Sequence, residues 1–361
     1  MNPAADTARW RLTEHAQLRT RNTFQVDARA RWLLEIGDID ALPEALAQVA
    51  GLPLLALGAG SNVLFAGDFD GAVLAFARPS ADAGTRILEE RPAEVLVAAD
   101  AGLVFHDFVL WSLERGLAGL ENLALIPGTV GAAPIQNIGA YGAEVGPCIH
   151  AVQAWDRQAN ALVELVREDC RFGYRDSVFK CQPQRYLVTR VTFRLARFDP
   201  SERGSAWRPN LGYAGLAEEL AAMGVDAPTP REVAAAVIAI RRRKLPDPAR
   251  LGNAGSFFKN PIVPAAQALA LQASYPSLPA FAASDADSRK LSAAWLIEQA
   301  GWKGFREGDA GVSPQHALVL VNHGHASGAQ LLALARRITA SVRERFGVAI
   351  EPEPLLLGAH W

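Results

Sequence analysis

Gly252-Asn253-Ala254-Gly255-Ser256-Phe257-Phe258-Lys259-Asn260-Pro261 is the most informative stretch of this chain. Its glycines let the backbone turn tightly and let a ligand approach it closely. The Phe-Phe pair can anchor the segment in a core, which leaves Ser256, Lys259 and Asn260 for polar contacts. The alternative interpretation is a glycine-rich turn that leads into a buried strand. We favour a ligand site because two other segments have a similar composition.

The longer of these segments is Leu125-Ile126-Pro127-Gly128-Thr129-Val130-Gly131-Ala132-Ala133-Pro134-Ile135-Gln136-Asn137-Ile138-Gly139-Ala140-Tyr141-Gly142. Small residues dominate it, and only a few polar or aromatic side chains interrupt them. An ordinary core reaches native packing density with larger apolar side chains. The segment therefore predicts a backbone that lies closely against a large flat ligand.

The shorter segment, Gly58-Ala59-Gly60-Ser61-Asn62, follows the apolar run Leu54–Leu57. It lacks the third glycine of a dinucleotide-binding fingerprint, and its continuation, Val63 to Gly67, indicates a strand where that motif needs a helix. If it binds a pyrophosphate, backbone N–H groups of a loop would do so as an anion nest. A purely structural turn remains an equal alternative on this segment alone.

Two charged segments complete the candidate chemistry. Arg171-Phe172-Gly173-Tyr174-Arg175-Asp176-Ser177 places two guanidinium groups at a tight turn, and guanidinium is suited to a two-pronged grip on carboxylate or phosphate. The alternative is a surface ion pair with Asp176. Glu351-Pro352-Glu353-Pro354 carries two carboxylates on a rigid extended segment, and the apolar residues 355–357 argue that it docks against the body and is not a disordered tail.

Composition excludes several classes of protein. The chain has 361 residues, so we expect two or three domains, and its net charge of −2 gives no reason to expect nucleic acid as a partner. The basic run 241–244 ends a predicted helix, where cations suit the helix dipole. Anion recognition by one or two of its residues is more plausible than an RNA-binding patch.

The cysteines and histidines do not predict a metal site. Cys148, Cys170 and Cys181 lack metal-ligand spacing and indicate a reduced, cytoplasmic protein. His323-Gly324-His325 has no acidic or thiol residue near it in sequence, so we expect a surface turn there. No apolar run approaches the ~20 residues of a membrane span, and residues 1–11 lack the apolar core of a signal peptide.

Element signals predict an α+β chain. We expect helices over 43–50, 106–115, 291–300 and around 331–346, and a helix after the capping box Thr229-Pro230-Arg231-Glu232 that ends at Lys244-Leu245-Pro246. Strands are predicted over 54–57, 94–99, 186–195 and 317–321. The N-terminal half is β-rich, and the composition changes near residue 200.

Several segments match one family in order along the chain. They are the Gly-Ala-Gly-Ser-Asn turn and residues 119–128, 134–142, 171–177, 244–248, 252–261 and 351–353. This combination resembles UDP-N-acetylenolpyruvoylglucosamine reductase of bacterial peptidoglycan synthesis. Residues 210–215 resemble the tyrosine-bearing substrate loop of the family's longer type. Pro354-Leu355 departs from the polar or basic continuation that the family would lead us to expect, which leaves the extreme C-terminus open.

The resemblance implies a fold and a cofactor. The expected fold class is α+β, with an FAD-binding domain of the vanillyl-alcohol-oxidase type in two subdomains (1–78 and 79–205) and a separate substrate-binding domain (206–361) whose C-terminal segment returns to the active site. FAD would bind non-covalently and NADPH would reduce it. The implied FAD-binding residues are Gly58, Gly60, Ser61, Asn62, Pro127, Gly128, Gly131, Ala132, Ala133, Ile135, Gln136, Ile138 and Gly139.

The resemblance also implies a reaction, in which flavin N5 passes hydride to C3 of the enolpyruvyl group and UDP-N-acetylmuramate forms. Arg175 would stabilise the charge that develops next to the carboxylate, Ser256 would give a proton to C2, and Glu353 would orient or polarise the site. The implied substrate-binding residues are Tyr141, Tyr174, Tyr213, Lys244, Asn260 and Gln299. We expect a monomer with a small nucleotide-sugar substrate and no nucleic-acid or membrane partner.

Two other functions compete with this interpretation. A flavin oxidase of the same fold would use oxygen, and many such enzymes tether flavin through a histidine, which residues 58–62 and 127–142 lack. A catalytically silent nucleotide-sugar binding protein would keep the fold. The presence of Arg175, Ser256 and Glu353 together argues against silence.

Overall fold

A computed structural model describes residues 9–199, 207–283 and 285–361. By its contacts the chain divides into two compact units. Unit 1 consists of Met1–Glu14, Trp32–Ala59 and Gly71–Arg241, and unit 2 of His15–Arg31, Gly60–Asp70 and Arg242–Trp361. Among the described residues, no helix is both long enough and apolar enough to cross a membrane.

Helices and strands alternate irregularly along both units. The α-helices are α1 (Leu42–Ala47), α2 (Phe105–Glu114), α3 (Val178–Cys181), α4 (Leu216–Ala222), α5 (Pro230–Lys244), α6 (Ala265–Ser274), α7 (Ala293–Gln299) and α8 (Gly328–Phe346). The strands are β1 (Trp10–Gln17), β2 (Arg29–Ile36), β3 (Leu54–Ala56), β4 (Val63–Phe65), β5 (Phe69–Phe76), β6 (Thr85–Glu90), β7 (Glu94–Asp100), β8 (Leu117–Ala118), β9 (Gly139–Ala140), β10 (Ala143–Glu144), β11 (Ile149–Asp156), β12 (Ala161–Val166), β13 (Tyr186–Arg197), β14 (Ile262–Pro264), β15 (Ala280–Ala282), β16 (Ser288–Leu291), β17 (Arg306–Glu307), β18 (Ala310–Val312), β19 (Leu320–Asn322) and β20 (Leu355–Leu357).

Unit 1 is built on an antiparallel sheet in the order β12-β11-β13-β7-β6, with β8 also paired to β13. The long strand β13 has β-branched and aromatic residues at most of its buried positions, which suits a central strand. Helix α2 packs on this sheet, where the rings of Phe108 and Phe193 lie 4.7 Å apart. The apolar face of α5, formed by Val233, Val237 and Ile240, is buried in the same core.

A second sheet has the order β1-β2-β5-β3, with β3 and β5 parallel. Three of the boundaries between the two units fall within β1, β2 and β5. In unit 1 these strands bury a small core against α1, in which Leu34, Leu42 and Leu74 are fully enclosed. The chain therefore passes between the units several times before residue 80.

Unit 2 contains two small antiparallel sheets, β14-β16-β15 and β17-β18-β19, and a parallel pair formed by β4 and β20. Helix α8 begins at a complete capping box on Ser327 and ends at Gly347, whose φ is +65°. It buries Leu331, Ile338 and Val342 along one face. A Cβ on Gly328 would lie 1.7 Å from the carbonyl oxygen of Phe65, so only glycine allows this approach.

Most of the predicted elements are confirmed, with shifted ends. The Thr229 capping box is present: Thr229 N–H donates to Glu232 Oε2 at 2.8 Å, and α5 ends at Lys244 as predicted. Residues 63–65 form a strand, which agrees with the rejection of a dinucleotide-binding fingerprint. Residues 355–357 pair with β4 in parallel, so the acidic C-terminal segment docks and is not a loose tail.

Two predicted boundaries are wrong. The helix expected from residue 291 begins at Ala293, because Leu291 pairs with Ala280 in a strand. The strand expected from residue 317 begins only at Leu320, because the chain turns at His316, where Val319 N–H donates to the His316 carbonyl at 3.0 Å. The three-domain division at 78/79 and 205/206 stays a prediction.

The His323-Gly324-His325 segment forms a bend. An acidic residue that is distant in sequence lies beside this bend: Asp309 Oδ2 accepts a hydrogen bond from His325 N–H at 2.9 Å. Gly324 has φ +147°, which favours glycine. The carboxylate therefore holds the bend.

Candidate active site

The two N-terminal glycine-rich segments meet in unit 1. A Cβ on Gly58 would lie 2.6 Å from Thr129 Oγ1, and a Cβ on Gly131 would lie 2.5 Å from the Cβ of Ala101. Both distances are too short for any side chain. Small residues are therefore needed in these segments partly because other protein atoms, and not only a ligand, lie against them.

The turn over 58–62 offers backbone donors. Its carbonyls are used internally, because Thr23 N–H donates to the Gly60 carbonyl at 3.1 Å and Leu355 N–H to the Asn62 carbonyl at 3.0 Å. Among the described residues, the N–H groups of Gly60 and Asn62 take part in no hydrogen bond. A turn that points its carbonyls inward and leaves N–H groups available fits a pyrophosphate.

Asn137 organises the second glycine-rich segment. It is buried with φ +46°, and its Nδ2 donates to Glu144 Oε2 at 2.8 Å and to the Gly173 carbonyl at 3.0 Å. Its Oδ1 accepts from Gly146 N–H at 2.8 Å. One amide thus joins the β9–β10 hairpin to the turn that carries Arg175.

The remaining predicted FAD-binding residues of this segment are half-buried apart from Pro127, which is exposed, and Ala133, which is buried.

Arg175 occupies a left-handed turn position with φ +55°. Its guanidinium donates to the Gly139 carbonyl at 3.0 Å and lies 5.7 Å from the ring centre of Tyr174. Lys180 Nζ holds the Arg175 carbonyl at 2.7 Å. Asp176 accepts from Ser177 N–H at 2.9 Å, so it stabilises the start of α3. Arg175 therefore lies at the glycine-rich segment.

The segment that carries Tyr213 is tied to the same region. Asn122 Nδ2 donates to the carbonyls of Tyr141 and Asn210, at 2.8 and 2.9 Å, and Asn210 Nδ2 donates to the Gly142 carbonyl at 2.9 Å. The Tyr141 and Tyr213 rings pack with their centres 4.6 Å apart. Two of the three predicted substrate tyrosines therefore lie together in unit 1.

Glu121 fixes the start of that segment. This buried carboxylate accepts from Trp207 Nε1 at 2.6 Å and from Gly119 N–H at 2.7 Å. Cys148 Sγ donates to the Gly119 carbonyl at 3.2 Å. Burial, with Glu121 nearby, raises the pKa of the Cys148 thiol to about 12, so this cysteine stays protonated and unreactive.

The Ser256 turn belongs to unit 2 and is shaped by the buried side chain of Asn253. Asn253 Oδ1 accepts from Gly255 N–H at 2.9 Å, and its Nδ2 donates to the carbonyls of Pro246 and Leu251 at 3.0 and 2.8 Å. Gly255 has φ +68°, which places the half-buried Ser256 at the tip of the turn. The amide thereby connects the Lys244–Pro248 stretch to the serine.

A backbone hydrogen bond joins Glu353 to the residue that follows this serine. Phe257 N–H donates to the Leu318 carbonyl at 2.7 Å, and the Phe257 carbonyl accepts from Glu353 N–H at 2.7 Å. Asn62 Nδ2 donates to the Glu353 carbonyl at 3.4 Å. The backbone of Glu353 is therefore bonded to Phe257, the residue that follows Ser256, although the two are almost 100 residues apart in sequence.

The other predicted residues of unit 2 differ in their placement. Lys244 is exposed at the end of α5. Asn260 Oδ1 accepts from Ala293 N–H at 3.0 Å and so supports the start of α7, which leaves Nδ2 for a ligand. Gln299 is exposed at the end of α7, and no hydrogen bond among the described residues joins its side chain to Ser256 or Glu353.

His316 is a residue that sequence reasoning missed. It is half-buried, and its Nδ1 accepts from N–H of Leu318, the residue whose carbonyl accepts from Phe257 N–H, at 3.3 Å. Burial, then the charges of Lys244 and Lys303, hold its pKa below the ordinary value, so it is neutral at pH 7. A polar residue directly before the apolar run Ala317–Val321 was the sequence signal that could have found it.

Glu121 and Asn122 were missed as well. Both lie in the stretch 119–128 that carried the family resemblance, but neither was given a role. Their side chains are almost fully buried and serve the Tyr213 segment, as described above. A charged residue in an otherwise apolar run was the signal that could have found Glu121.

Comparisons with known proteins agree with this organisation. Residues 33–162 match the family model described as "FAD binding domain", and residues 247–357 match the model described as "UDP-N-acetylenolpyruvoylglucosamine reductase, C-terminal domain". The chain is 58% identical to the UDP-N-acetylenolpyruvoylglucosamine reductase of Xanthomonas axonopodis pv. citri and 56% identical to that of Xylella fastidiosa, with 100% of each chain covered in both cases.

A solved structure gives the same result. The crystal structure of UDP-N-acetylenolpyruvylglucosamine reductase from Thermus caldophilus matches with a TM-score of 0.64 at 25% identity, over 97% of this chain and 99% of that one. The predicted α+β class and the resemblance in sequence are both confirmed. This chain belongs to the UDP-N-acetylenolpyruvoylglucosamine reductase family.

Proposed function

We propose that this chain is an NADPH-dependent flavoenzyme that reduces UDP-N-acetylenolpyruvoylglucosamine to UDP-N-acetylmuramate in peptidoglycan synthesis. The observation that carries the proposal, beyond family membership, is the pairing of Ser256 with Glu353 in unit 2 through the Phe257 backbone. Ser256 offers a hydroxyl and Glu353 a carboxylate, the two kinds of group with which a reductase can also deliver a proton.

FAD fits the residues of the N-terminal segments. In unit 2, the available N–H groups of Gly60 and Asn62 suit a pyrophosphate, and in unit 1 the half-buried backbone of residues 128–139 suits a flat ring system. When bound, FAD would supply hydride, taken from NADPH, for C3 of the enolpyruvyl group. Binding is non-covalent, because residues 58–62 and 127–142 contain neither histidine nor cysteine.

Ser256 acts as the general acid. Hydride addition at C3 leaves negative charge at C2, and the Ser256 Oγ–H gives its proton to that carbon. The positive φ of Gly255 and the hydrogen bonds of Asn253 fix the hydroxyl in position before the substrate arrives. Glu353, held by its bond to Phe257, orients or polarises the hydroxyl.

Arg175 stabilises the negative charge that spreads into the substrate carboxylate. Its guanidinium is already positioned by the bond to the Gly139 carbonyl, and a preorganised charge of this kind lowers the barrier because nothing has to reorient during the reaction. Tyr141, Tyr174, Tyr213, Lys244, Asn260 and Gln299 bind the substrate. Lys244 and Tyr213 lie nearest its diphosphate and uridine end, and Asn260 uses its Nδ2.

The protein works as a cytoplasmic monomer on a small nucleotide sugar and has no nucleic-acid partner. The near-neutral charge supports the absence of a nucleic-acid partner, and the three cysteines, which are all free thiols, support a cytoplasmic location. Burial raises the pKa of the Cys170 thiol to about 12, which makes it unreactive too.

The test separates the two half-reactions of Ser256→Ala by anaerobic stopped flow. Bleaching of the flavin by NADPH needs no proton at C2, so it should be nearly unchanged. Reoxidation by the enolpyruvyl substrate should slow by about 10²–10⁴-fold, the usual effect of losing a positioned general acid. Ser274→Ala, at an exposed position on α6, is the matched control.

Three results would contradict the proposal. No slowing of reoxidation would remove Ser256 from the catalytic residues, and equal slowing of both steps would indicate disturbed flavin binding. Rapid reoxidation of the wild-type protein by oxygen, without enolpyruvyl substrate, would favour an oxidase. A protein that binds the nucleotide sugar but never bleaches with NADPH would be a silent binding protein.

A further inference from the structure

Arg241 is a charged residue that the proposed mechanism does not use. It lies in the last turn of α5, with its guanidinium carbon 5.9 Å from the ring centre of Tyr141. Within the described part of the chain, its Nε is buried without a hydrogen-bond partner, and its guanidinium forms no ion pair. Among those residues it is therefore a cation partly withdrawn from water without an anion beside it.

Helix electrostatics do not explain this placement. A cation in the last turn of a helix interacts favourably with the helix dipole, but the gain is small and needs no burial. Arg242, the next residue, is exposed and provides that charge without loss of hydration. Withdrawing a charge from water without a partner is strongly unfavourable. A function is therefore needed to account for the position of Arg241.

The surroundings of Arg241 favour an anion. Burial lowers its pKa from the ordinary value, and Tyr141 and Tyr213 oppose that effect. An arginine nevertheless keeps its charge in proteins. The Tyr213 ring packs on Tyr141, and Asn122 and Asn210 hold this region in place. The guanidinium thus lies near Tyr141, on which Tyr213 packs, in a region that is already fixed.

We propose that Arg241 is an oxyanion-binding residue that contacts the diphosphate of the nucleotide sugar. The inference rests on the proposed function, which places Tyr213 near the diphosphate. A planar guanidinium matches the geometry of phosphate oxygens, and hydrogen bonds to charged groups are among the stronger ones. When the diphosphate binds, it supplies the anion that Arg241 lacks.

The experiment uses FAD-loaded protein and isothermal titration with UDP-N-acetylmuramate and with UDP-N-acetylglucosamine, which has the diphosphate but no carboxylate. Arg241→Met, with similar length and no charge, should weaken both ligands about ten- to hundredfold. Arg241→Lys should recover part of the affinity, and Arg242→Met, the matched control, should bind as the wild type does. Without ligand, Arg241→Met should melt at the same or a higher temperature.

Each other outcome contradicts the proposal in a distinct way. Unchanged affinity of Arg241→Met for both ligands would overturn it. Loss of affinity for UDP-N-acetylmuramate alone would place the carboxylate, and not the diphosphate, at Arg241. A lower melting temperature with unchanged affinity would make Arg241 a structural residue. If the wild-type protein binds neither nucleotide sugar, the proposed function itself fails.

Discussion

Replacing Asn253 by alanine tests how the Ser256 turn is held. The side chain is buried and makes three hydrogen bonds, to Gly255, Pro246 and Leu251, at 2.8–3.0 Å. A typical buried hydrogen bond contributes about 1 kcal/mol, and the partners left without one add to the loss. We therefore expect the free energy of unfolding to fall by about 3 kcal/mol, which lowers the melting temperature by roughly 6–12 °C for a domain of ~150–250 residues.

The assay combines calorimetry with the flavin half-reactions. Because Gly255 loses the acceptor that fixes its positive φ, Ser256 should lose its position as well, and reoxidation of flavin by substrate should slow more than bleaching by NADPH. Gln158→Ala removes an exposed amide and should change neither quantity. A melting temperature within about 2 °C of wild type, together with normal reoxidation, would refute the reasoning that this amide shapes the turn.

Three further predictions concern other parts of the site. Arg175→Lys should lower turnover as well as affinity, because an ammonium cannot reproduce the planar fork, and near-normal steady-state turnover would make Arg175 a surface residue. His316 has a folded pKa below its ordinary value, so the stability it contributes is present above pH ~6.5 and is lost as pH falls through the folded pKa. His316→Asn, whose oxygen can still accept from Leu318 N–H, should therefore flatten the fall in melting temperature between about pH 7 and 5, and an unchanged slope would contradict this. Trp207→Phe leaves an oxygen of the buried Glu121 carboxylate without its donor. Denaturant titration should therefore show that the free energy of unfolding falls by about 1.5–3 kcal/mol, and KM for the nucleotide sugar should rise. A variant as stable as the wild type would show that this hydrogen bond is not needed.

Local signals predicted the elements that are stabilised locally. Helix α5 is present because its capping box and its terminating prolines act within a few residues, and α8 ends at the predicted Gly347. The errors occur where a distant strand decides the structure. Leu291 has the pattern of a helix start, but Ala280 pairs with it and extends the preceding strand.

The candidate site shows the same difference between residues that local sequence reveals and residues whose role depends on distant contacts. The turns that carry Ser256 and Arg175 were found because their residue types are unusual for a loop or a core. Arg241 was visible only as part of a basic run, since nothing in the sequence shows which of four cations is buried. His316 was missed because its importance comes from Lys244 and Leu318, and those contacts exist only after folding.

The parallel pair of β4 and β20 has a consequence for synthesis of the chain. Among the described residues β4 pairs with no other strand, and its partner follows about 290 residues later, at 355–357. At roughly 5–20 residues per second, the ribosome needs about 15–60 s to make that distance. During this time the edge of β4, which consists of Val63, Leu64 and Phe65, is open to strands of other chains. The nascent chain is therefore most exposed to aggregation before β20 emerges, and a holding chaperone would have its greatest effect in that interval.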